Sequence, residues 1–436
     1  MLMIFQDWYV DETLGLEMYK WCEDLFPINR SLTGNGVRET LSYIQQLIPE
    51  LKIHEVPSGS VAFDWVVPDE WNISDAHIKD ALGNKLVDFK NSNLHVMGYS
   101  TAVDKVVSKS ELNDHLFSLP ESPEAIPYVT SYYSKNWGFC ISHEDRERLP
   151  EGPFSVFIDS TLKPGHMTYG ELIIEGETDQ EILLTTYVCH PSMANNELSG
   201  PAVLTKLAQI LQTKKSKHTY RILFLVETIG SIYYISEHLE ELKKNVVGGY
   251  VLTCIGDDRT YSFIPTINGS TYSDLIARHV LLSLDKTYKE YSWLDRGSDE
   301  RQFNAPGVDL PIASVMRSKY GEFPEYHTSL DNLNLISPKG LGGGLNAMFR
   351  MIFILESNAV YKLNVLCEPQ LGKRGLYPNV SLRENYHLVR NQMNVISFLD
   401  GSHDLLEIAS LCEITFLEAF QIVSKLQEVG LVQQIS

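Results

Sequence analysis

An alternation of short apolar runs and helical patterns after Glu181 constrains the fold of this chain more than any other feature of its sequence. The apolar runs lie at 181–188, 220–227, 248–256 and 310–316, with helical patterns at about 199–213 and 231–244. Strands that alternate with helices are typical of α/β proteins, in which helices cover both faces of the sheet. The sequence therefore predicts a mixed, mostly parallel sheet with helices on both faces.

The regions on either side of this segment have different patterns. Apolar residues at helical spacing predict two helices between Asp11 and about Pro49, and short alternating runs from Val61 onward predict an inserted small β-rich domain. A long helix is predicted over 341–364, and the tail beyond a Gly/Pro-bearing linker resembles a winged helix-turn-helix. The predicted domains are a discontinuous α/β domain at 1–58 and 151–365, the inserted domain at 59–150 and the winged helix at 371–436.

Composition and charge limit the classes of partner. The 436 residues, 44% of them hydrophobic and 21% charged, are ordinary for a folded protein of two or three domains. A formal net charge of −20 opposes binding to phosphate backbones and to anionic lipid surfaces. Because the N-terminal residues lack a signal-peptide pattern and no run of about 18 apolar residues occurs, we expect a cytoplasmic protein without a membrane or nucleic-acid partner.

The tail has the pattern of a DNA-binding fold but the wrong charge for that role. Residues 371–436 carry five Lys/Arg and seven Asp/Glu, a net charge of −2. A DNA-binding winged helix needs a basic surface. We therefore predict that the tail packs on the rest of the chain or contacts a protein, either another protein or a second copy of this one.

Two residues at the ends of predicted strands are candidates for chemistry. His190 ends the first strand of the alternating segment, and imidazole is a common zinc ligand. Glu227 ends the most apolar strand, where a carboxylate needs a cation, a metal or a bound water. Taken alone, a histidine at a strand end is more often a hydrogen-bonded residue than a ligand, and Glu227 is equally well explained as a helix cap or an ion-pair partner.

Two polar segments further along the chain carry weaker signals. "EFPEYHTSLD" places His327 after Glu325 and Tyr326, and its Thr and Ser suit N-capping, which leaves the histidine unexplained. "DRGSDERQF" contains Asp299 within a mixed cluster of charges, for which a solvated surface is an adequate explanation.

In their order along the chain, these segments resemble the motifs of one family. His190, the "NNELSG" loop, Glu227 before "TIGS", "GSDERQF" and "YHTSLD" resemble the zinc aminopeptidases of the M28 clan. The similarity is to the branch of bacterial aminopeptidase-like proteins associated with polysaccharide biosynthesis. It covers roughly residues 10–360, and the inserted β domain and winged-helix tail are typical of that branch.

The resemblance assigns roles to individual positions. It implies that His190 and His327 are metal ligands and that Glu227 is the general base. Asn196 stands where the family has an aspartate that bridges two zinc ions, and we include it with Glu197 among the metal-site residues. We predict that Asp299, Glu325 and Tyr326 bind the substrate.

Several metal carboxylates of the family are missing from this chain. Thr228 stands where the family has a second glutamate, and the family's later aspartate falls near Thr253, with Asp257 as a possible substitute. Two zinc ions about 3.5–4 Å apart repel each other unless an anion bridges them, which a neutral Asn196 does not do. The sequence therefore favours one zinc ion over two, and leaves open a site that holds none.

Two functions fit these observations. The first is a metal-dependent aminopeptidase-like hydrolase that cleaves an amide bond in a small peptide or an amino-sugar derivative, with a degenerate or mononuclear zinc site. The alternative is a catalytically inactive protein of the same fold that acts in binding or assembly during surface-polysaccharide biosynthesis. Both require the imidazoles of His190 and His327 to meet in one crevice.

Overall fold

The computed structural model describes residues 12–376 and 383–435 and divides them into two compact units. The larger unit contains residues 12–274 and 288–346, and the smaller contains residues 275–287, 347–376 and 383–435. The helices are α1 (Glu12–Leu25), α2 (Asn35–Leu47), α3 (Lys109–Asn113), α4 (His143–Glu147), α5 (Ser199–Gln212), α6 (Ile229–Asn245), α7 (Tyr272–Leu284), α8 (Glu300–Phe303), α9 (Pro338–Ser357), α10 (Arg383–Ser397), α11 (Leu405–Leu411) and α12 (Phe416–Glu428).

The strands are β1 (Lys52–Pro57), β2 (Val61–Ala62), β3 (Trp65–Val66), β4 (Glu70–Lys79), β5 (Lys85–Asp88), β6 (Val103–Val107), β7 (Leu116–Phe117), β8 (Phe139–Cys140), β9 (Phe154–Lys163), β10 (His166–Ile174), β11 (Glu181–Tyr187), β12 (Thr219–Leu225), β13 (Val246–Leu252), β14 (Ser262–Ile264), β15 (Lys289–Glu290), β16 (Ile312–Met316), β17 (Val360–Leu363), β18 (Asp400–Asp404) and β19 (Val432–Gln434).

An eight-stranded sheet forms the centre of the larger unit. Its order is β1-β10-β12-β11-β13-β16-β14-β15, and the pairs among β12, β11, β13 and β16 are parallel. Every residue of β11 is buried, as expected for the strand between β12 and β13. The predicted mixed, mostly parallel sheet is therefore confirmed, and the carboxyl ends of β11, β12 and β13 lie along one edge.

A second sheet belongs to the β-rich part of the larger unit. It has four strands in the order β5-β4-β9-β6, and all its pairs are antiparallel. Alternate residues of β9 are buried, which fits a sheet with one covered face. The inserted β-rich domain expected from the alternating pattern is thus present, while its exact limits stay a prediction.

The smaller unit contains the predicted winged helix. Its antiparallel sheet has the order β18-β17-β19, and α10, α11 and α12 accompany it. The helix predicted over 341–364 is wrong at its end, because α9 stops at Ser357 and Val360–Leu363 forms β17. The pairing of β17 with β18 and β19 stabilises a strand there, which helical periodicity alone could not indicate. Of the helices that the structure describes, none is long and apolar enough to span a membrane.

Candidate metal and catalytic site

The candidate site lies where three parallel strands end. His190 follows β11, Glu227 follows β12 and Thr253 follows β13. Ligands in α/β sheets bind beyond the carboxyl ends of such strands. The strand order therefore brings the two residues selected from the sequence to neighbouring positions, although 37 positions separate them in the chain.

The two histidines are close together. The rings of His190 and His327 lie 5.5 Å apart between centroids at an interplanar angle of 45°. Tyr128 contacts both of them edge-on, with centroid distances of 5.5 Å to His190 and 5.2 Å to His327. The backbone N–H of Tyr128 also donates to the His327 carbonyl at 2.8 Å, so this tyrosine fixes the histidine pair from a third segment.

His190 is held in place by a buried ion pair. Its Nδ1 lies 2.9 Å from Glu197 Oε2, and Glu197 Oε1 lies 3.2 Å from Arg30 Nε. Neither the Arg30 nor the Glu197 side chain has exposed surface, and Arg30 Nε also donates to the His190 carbonyl at 2.9 Å. Burial lowers the pKa of His190, but Cys189 and Glu197 outweigh burial and raise it well above its ordinary value. With Nδ1 bound to Glu197, Nε2 is the nitrogen that would face a metal ion, and such an ion would have to displace the proton that the raised pKa places on the ring.

His327 has the opposite electrostatic character. Burial, together with the neighbouring His190, lowers the pKa of His327 to about 3, so its ring is neutral at physiological pH. Its Nε2 atom is buried and has no hydrogen-bond partner within the described parts of the chain. The residue adopts a positive φ of 55°, which is uncommon for residues other than glycine, although histidine is among those that adopt it more often. A neutral imidazole with a free buried nitrogen has the form needed to bind a metal ion.

Neutral groups occupy the positions of the missing carboxylates. Asn196 Nδ2 donates to the Tyr187 hydroxyl at 2.8 Å, and that hydroxyl lies 2.5 Å from Thr253 Oγ1. All three residues are buried. Asn196 Oδ1 lacks a hydrogen-bond partner among the residues that the structure describes. The site thus presents one amide oxygen where a dinuclear centre needs a bridging anion.

The loop before α5 is anchored by a residue that sequence reasoning did not select. Asp331 accepts hydrogen bonds from the backbone N–H groups of Ala194, Asn195 and Asn196 at 3.1, 2.6 and 2.9 Å. Burial raises the pKa of Asp331 to about 7, against the lowering effect of these N–H groups. Because Asp331 belongs to the "YHTSLD" segment, it connects the His327 loop to the Asn196 loop.

Asp257, the possible substitute ligand, has another role. Its carboxylate accepts hydrogen bonds from Asn195 Nδ2 at 3.0 Å and from the Ser318 N–H at 2.8 Å, and also from the Ser318 hydroxyl and the Arg259 N–H. These four donors use both of its oxygens. Asp257 therefore supports the loops around the site and is not free to bind a metal ion.

Glu227 faces His190 from the end of β12. Its Oε2 lies 3.5 Å from His190 Nε2, and its Oε1 accepts a hydrogen bond from Ser298 Oγ at 2.9 Å. Its side chain keeps 21% of its surface exposed. Burial is the main cause that raises the pKa of Glu227, and the charge of His190 lowers it.

The backbone after Glu227 turns sharply at Thr228, which has φ 66° and ψ −76°. This γ-turn is closed by a hydrogen bond from the Ile229 N–H to the Glu227 carbonyl at 2.9 Å.

Asp299 lies behind Glu227. Its Oδ1 accepts hydrogen bonds from the Thr228 N–H and the Ser231 hydroxyl, each at 2.8 Å, while its buried Oδ2 has no partner in the described residues. Burial, and then the charge of Glu227, raises the pKa of Asp299 to about 7, and the two donors lower it. The structure therefore places Asp299 beside the candidate base, bound to the strained turn that follows it.

The other two predicted substrate-binding residues differ in position. Glu325 forms a two-point ion pair with Arg259, at 2.9 and 2.7 Å, so its carboxylate already has a partner. Tyr326 stacks on His327 with centroids 3.9 Å apart and planes inclined by 14°. Tyr326 thus lies at the histidine pair, whereas Glu325 points its charge to Arg259.

The same environment also contains a thiol. Among the described residues, the group of metal-ligating side chains with donor atoms close together is Cys189, His190 and Glu197. Burial raises the pKa of Cys189 to about 11, so in the absence of a metal ion its sulfur is a neutral thiol. Glu197 is already bound to His190 and Arg30. In contrast, His327 Nε2 and Asn196 Oδ1 have no hydrogen-bond partner in the described residues.

The comparisons with known proteins identify the family of this chain. A family described as a domain of unknown function, DUF4910, matches residues 19–358, and a winged helix-turn-helix family matches residues 359–434. The chain is 46% identical over 397 residues to a Clostridium acetobutylicum protein named for polysaccharide biosynthesis and for an aminopeptidase-like domain, with 91% of each chain covered.

Solved structures give the same result for the fold. A crystal structure of a Clostridium acetobutylicum protein named as a peptidase is similar to this chain with a TM-score of 0.91, 43% identity and 97% coverage of each chain. A zinc aminopeptidase from Bacillus subtilis shares the fold at a TM-score of 0.56 and 14% identity, over 78% of this chain and 94% of that chain. The resemblance to aminopeptidases is therefore confirmed. The chain belongs to the DUF4910 family, with the aminopeptidase-like α/β fold and a C-terminal winged helix-turn-helix.

Proposed function

We propose that this protein hydrolyses an amide bond in a small peptide or an amino-sugar derivative with the help of a single zinc ion. The aminopeptidase-like fold and the polysaccharide-biosynthesis name of the Clostridium acetobutylicum relative support this class of function. His190, His327 and Asn196 would hold the zinc ion, and Glu227 would act as the general base.

The donor set fits one zinc ion and does not fit two. His327 Nε2 and Asn196 Oδ1 are buried polar atoms without partners in the described chain, and His190 Nε2 is free of the Glu197 contact. Three protein ligands with one open position are usual for catalytic zinc. When bound, zinc would act as a Lewis acid towards the substrate carbonyl and would lower the pKa of a water molecule.

Glu227 supplies the proton transfer in this proposal. A water molecule beside its carboxylate loses a proton to Oε2 as the water oxygen attacks the amide carbon. The Ser298 hydroxyl donates to the other oxygen and so fixes the orientation of the carboxylate. The same proton then moves to the leaving nitrogen when the C–N bond breaks, which returns Glu227 to its ionised form.

One observation carries the proposal. Two imidazoles from segments 137 positions apart meet at a centroid distance of 5.5 Å, and one of them keeps a buried nitrogen without a partner. An unpaired buried polar atom costs about 1–3 kcal/mol, and a metal ion is a partner that removes this cost.

The experiment measures bound zinc and hydrolysis on the same preparations. The purified full chain is loaded with zinc, its metal content is determined by mass spectrometry, and its activity is followed on aminoacyl test substrates. We expect about one zinc per chain and measurable hydrolysis. His190→Ala and His327→Ala should each lose the zinc and the activity while keeping the circular-dichroism spectrum.

A third histidine provides the matched control. His166 lies in β10, and its side chain makes no hydrogen bond or ion pair with the described residues. His166→Ala should keep both zinc and hydrolysis. Wild-type protein without stoichiometric zinc and without hydrolysis would contradict the proposal, as would zinc retained by both site variants.

The neutral Asn196–Tyr187–Thr253 chain favours a second candidate, an inactive protein that binds a ligand or a partner in surface-polysaccharide biosynthesis. In that case the winged helix would contact a protein partner or a second copy of the chain. Absence of hydrolysis together with a protein partner that requires residues 371–436 is the result expected for this alternative.

A further inference from the structure

A cavity outside the proposed catalytic set adjoins the loops that carry the two imidazoles. Its volume is about 810 Å³, within the range of about 300–1,000 Å³ of small-molecule sites. Ser192, two residues after His190, and Ser329, two residues after His327, form part of its wall. The cavity therefore shares both loops with the catalytic centre.

The wall of this cavity is polar but carries few charges. Of its 23 residues, twelve are Asn, Ser or Thr, and three are charged. Its aromatic side chains are Phe26, Trp71 and Phe89. A lipid chain would need an apolar wall, and a phosphate group would need several Arg or Lys side chains. In this wall Lys90 carries a positive charge, and Asp24 and Glu39 carry negative charges that would repel an anionic ligand. The lining therefore suits a neutral polar ligand.

Several of the polar side chains are free to bind. In the part of the chain that the structure describes, the side chains of Asn29, Ser31 and Asn91 make no hydrogen bond, and Ser31 keeps only 5% of its surface exposed. An amide offers donors and an acceptor in one plane, and a hydroxyl offers both kinds of group. Adjacent hydroxyls of a sugar also donate and accept, so they match this lining closely.

We propose that this cavity binds a neutral saccharide. Its amides and hydroxyls take the sugar hydroxyl groups, and the half-buried faces of Phe26 and Phe89 take the apolar C–H face of a ring. The role of this sugar in a reaction rests on the proposed hydrolase function. In that case the substrate has a glycan portion attached to the amide group that is cleaved. The binding of sugar itself does not depend on catalysis.

The cavity connects directly to the support of His190. Asn29 and Ser31 flank Arg30, whose guanidinium donates to the His190 carbonyl at 2.9 Å and pairs with Glu197 at 3.2 Å. A saccharide bound to Asn29 and Ser31 therefore contacts the segment that positions the catalytic imidazole. This placement suits a substrate whose sugar is bound first and whose amide then reaches Glu227.

The test measures binding on the full chain, with and without zinc. Calorimetric titration and saturation-transfer NMR use three probes: the β-linked tetramer of N-acetylglucosamine, the α-linked tetramer of glucose and tetra-alanine. We expect saturable binding of at least one saccharide with a Kd in the micromolar to millimolar range, and no binding of tetra-alanine that depends on Asn29 and Asn91. Asn29→Ala and Asn91→Ala should each weaken saccharide binding about three- to tenfold, as expected for one lost hydrogen bond.

Asn391→Ala is the matched control, because Asn391 lies in α10 and outside the cavity wall. Asn391→Ala should leave saccharide binding unchanged. Because Asn91 is exposed, Asn91→Ala should not disturb folding.

Two results would overturn the inference. One is that neither saccharide binds saturably, and the other is that tetra-alanine binds and both cavity variants weaken its binding. Saccharide binding without hydrolysis of any amide would instead leave the cavity assignment intact and contradict the hydrolase function.

Discussion

Replacing Glu197 with Gln tests the support of His190 most directly. The substitution keeps the size of the side chain but leaves the Arg30 guanidinium without its ion-pair partner, and both groups are fully enclosed. Loss of one partner from a buried ion pair costs about 3–5 kcal/mol, because the other charge stays buried. His190 also loses the carboxylate at 2.9 Å from Nδ1, and loss of such an orienting group weakens metal binding about 10- to 100-fold.

Two measurements check these magnitudes. Equilibrium unfolding in urea gives the free energy of unfolding, and competition with a zinc chelator gives the affinity. A double-mutant cycle with Arg30→Met separates the pair from its surroundings, and the double variant should be about 1–3 kcal/mol more stable than the sum of the two single effects. Glu111→Gln is the control, because Glu111 and its partner Lys105 are 45% and 40% exposed and such pairs contribute less than about 1 kcal/mol.

The reasoning would be refuted by a small effect. One such result is that Glu197→Gln lowers the free energy of unfolding no more than Glu111→Gln does, and that the effects of Glu197→Gln and Arg30→Met simply add in the double variant. The buried pair would then not stabilise the site. Unchanged zinc affinity in the same variant would show that His190 needs no orienting carboxylate.

Three further predictions concern neighbouring residues. Asn196→Asp should raise zinc affinity at least about tenfold in the chelator competition, because a charged oxygen then replaces a neutral one; an unchanged affinity would place the metal elsewhere. In metal-free protein, the folded-state pKa of Asp299 near 7 exceeds its ordinary 3.8, so its contribution to stability is complete below pH 4 and is lost as the pH rises through 7. Asp299→Asn should therefore reduce the fall in stability from pH 5 to pH 8 by up to a few kcal/mol, and parallel melting curves for both proteins would contradict this. Gly200→Ala should lower the free energy of unfolding in urea by about 1–3 kcal/mol, because the added methyl group would lie 2.5 Å from the Leu252 carbonyl oxygen. An unchanged unfolding transition would show that α5 can move away from this contact.

The sequence predicted the parts of the site that depend on strand ends. His190 and Glu227 each follow an apolar run, and residues after neighbouring parallel strands share one edge of a sheet. Thr253 follows from the same rule applied to β13. The alternation of strands and helices was sufficient to predict these positions, because it determines both the parallel sheet and the edge at which the residues after its strands lie.

The supporting residues could not be predicted in this way. Arg30 lies in a loop 160 positions before His190, and no local pattern links a cation there to a strand end. Tyr128 lies between β7 and β8, in a segment without a regular hydrophobic pattern, and Tyr187 is part of the apolar run of β11. Contacts of this range arise from tertiary packing, whereas sequence patterns report the burial and spacing of single elements. One sequence signal for these contacts was available. An asparagine at position 196 has an amide N–H₂ that needs an acceptor, and the structure shows that this acceptor is the Tyr187 hydroxyl.

The backbone around the candidate site has an uncommon conformation at three positions. Thr228, Cys254 and His327 have positive φ values of 66°, 47° and 55°, although none is a glycine. Each such residue costs about 1–3 kcal/mol and persists where the surrounding contacts impose it, most often at active sites. Thr228 follows the candidate base, Cys254 follows the residue bonded to Tyr187, and His327 is itself a candidate ligand. Six other non-glycine residues of the described chain, such as Phe63 and Asp309, also have positive φ, so strain by itself does not mark the site. What distinguishes these three positions is that each belongs to, or directly follows, a residue whose side chain faces the histidine pair or the Tyr187–Asn196 contact, so the surrounding contacts hold the local geometry of the candidate site.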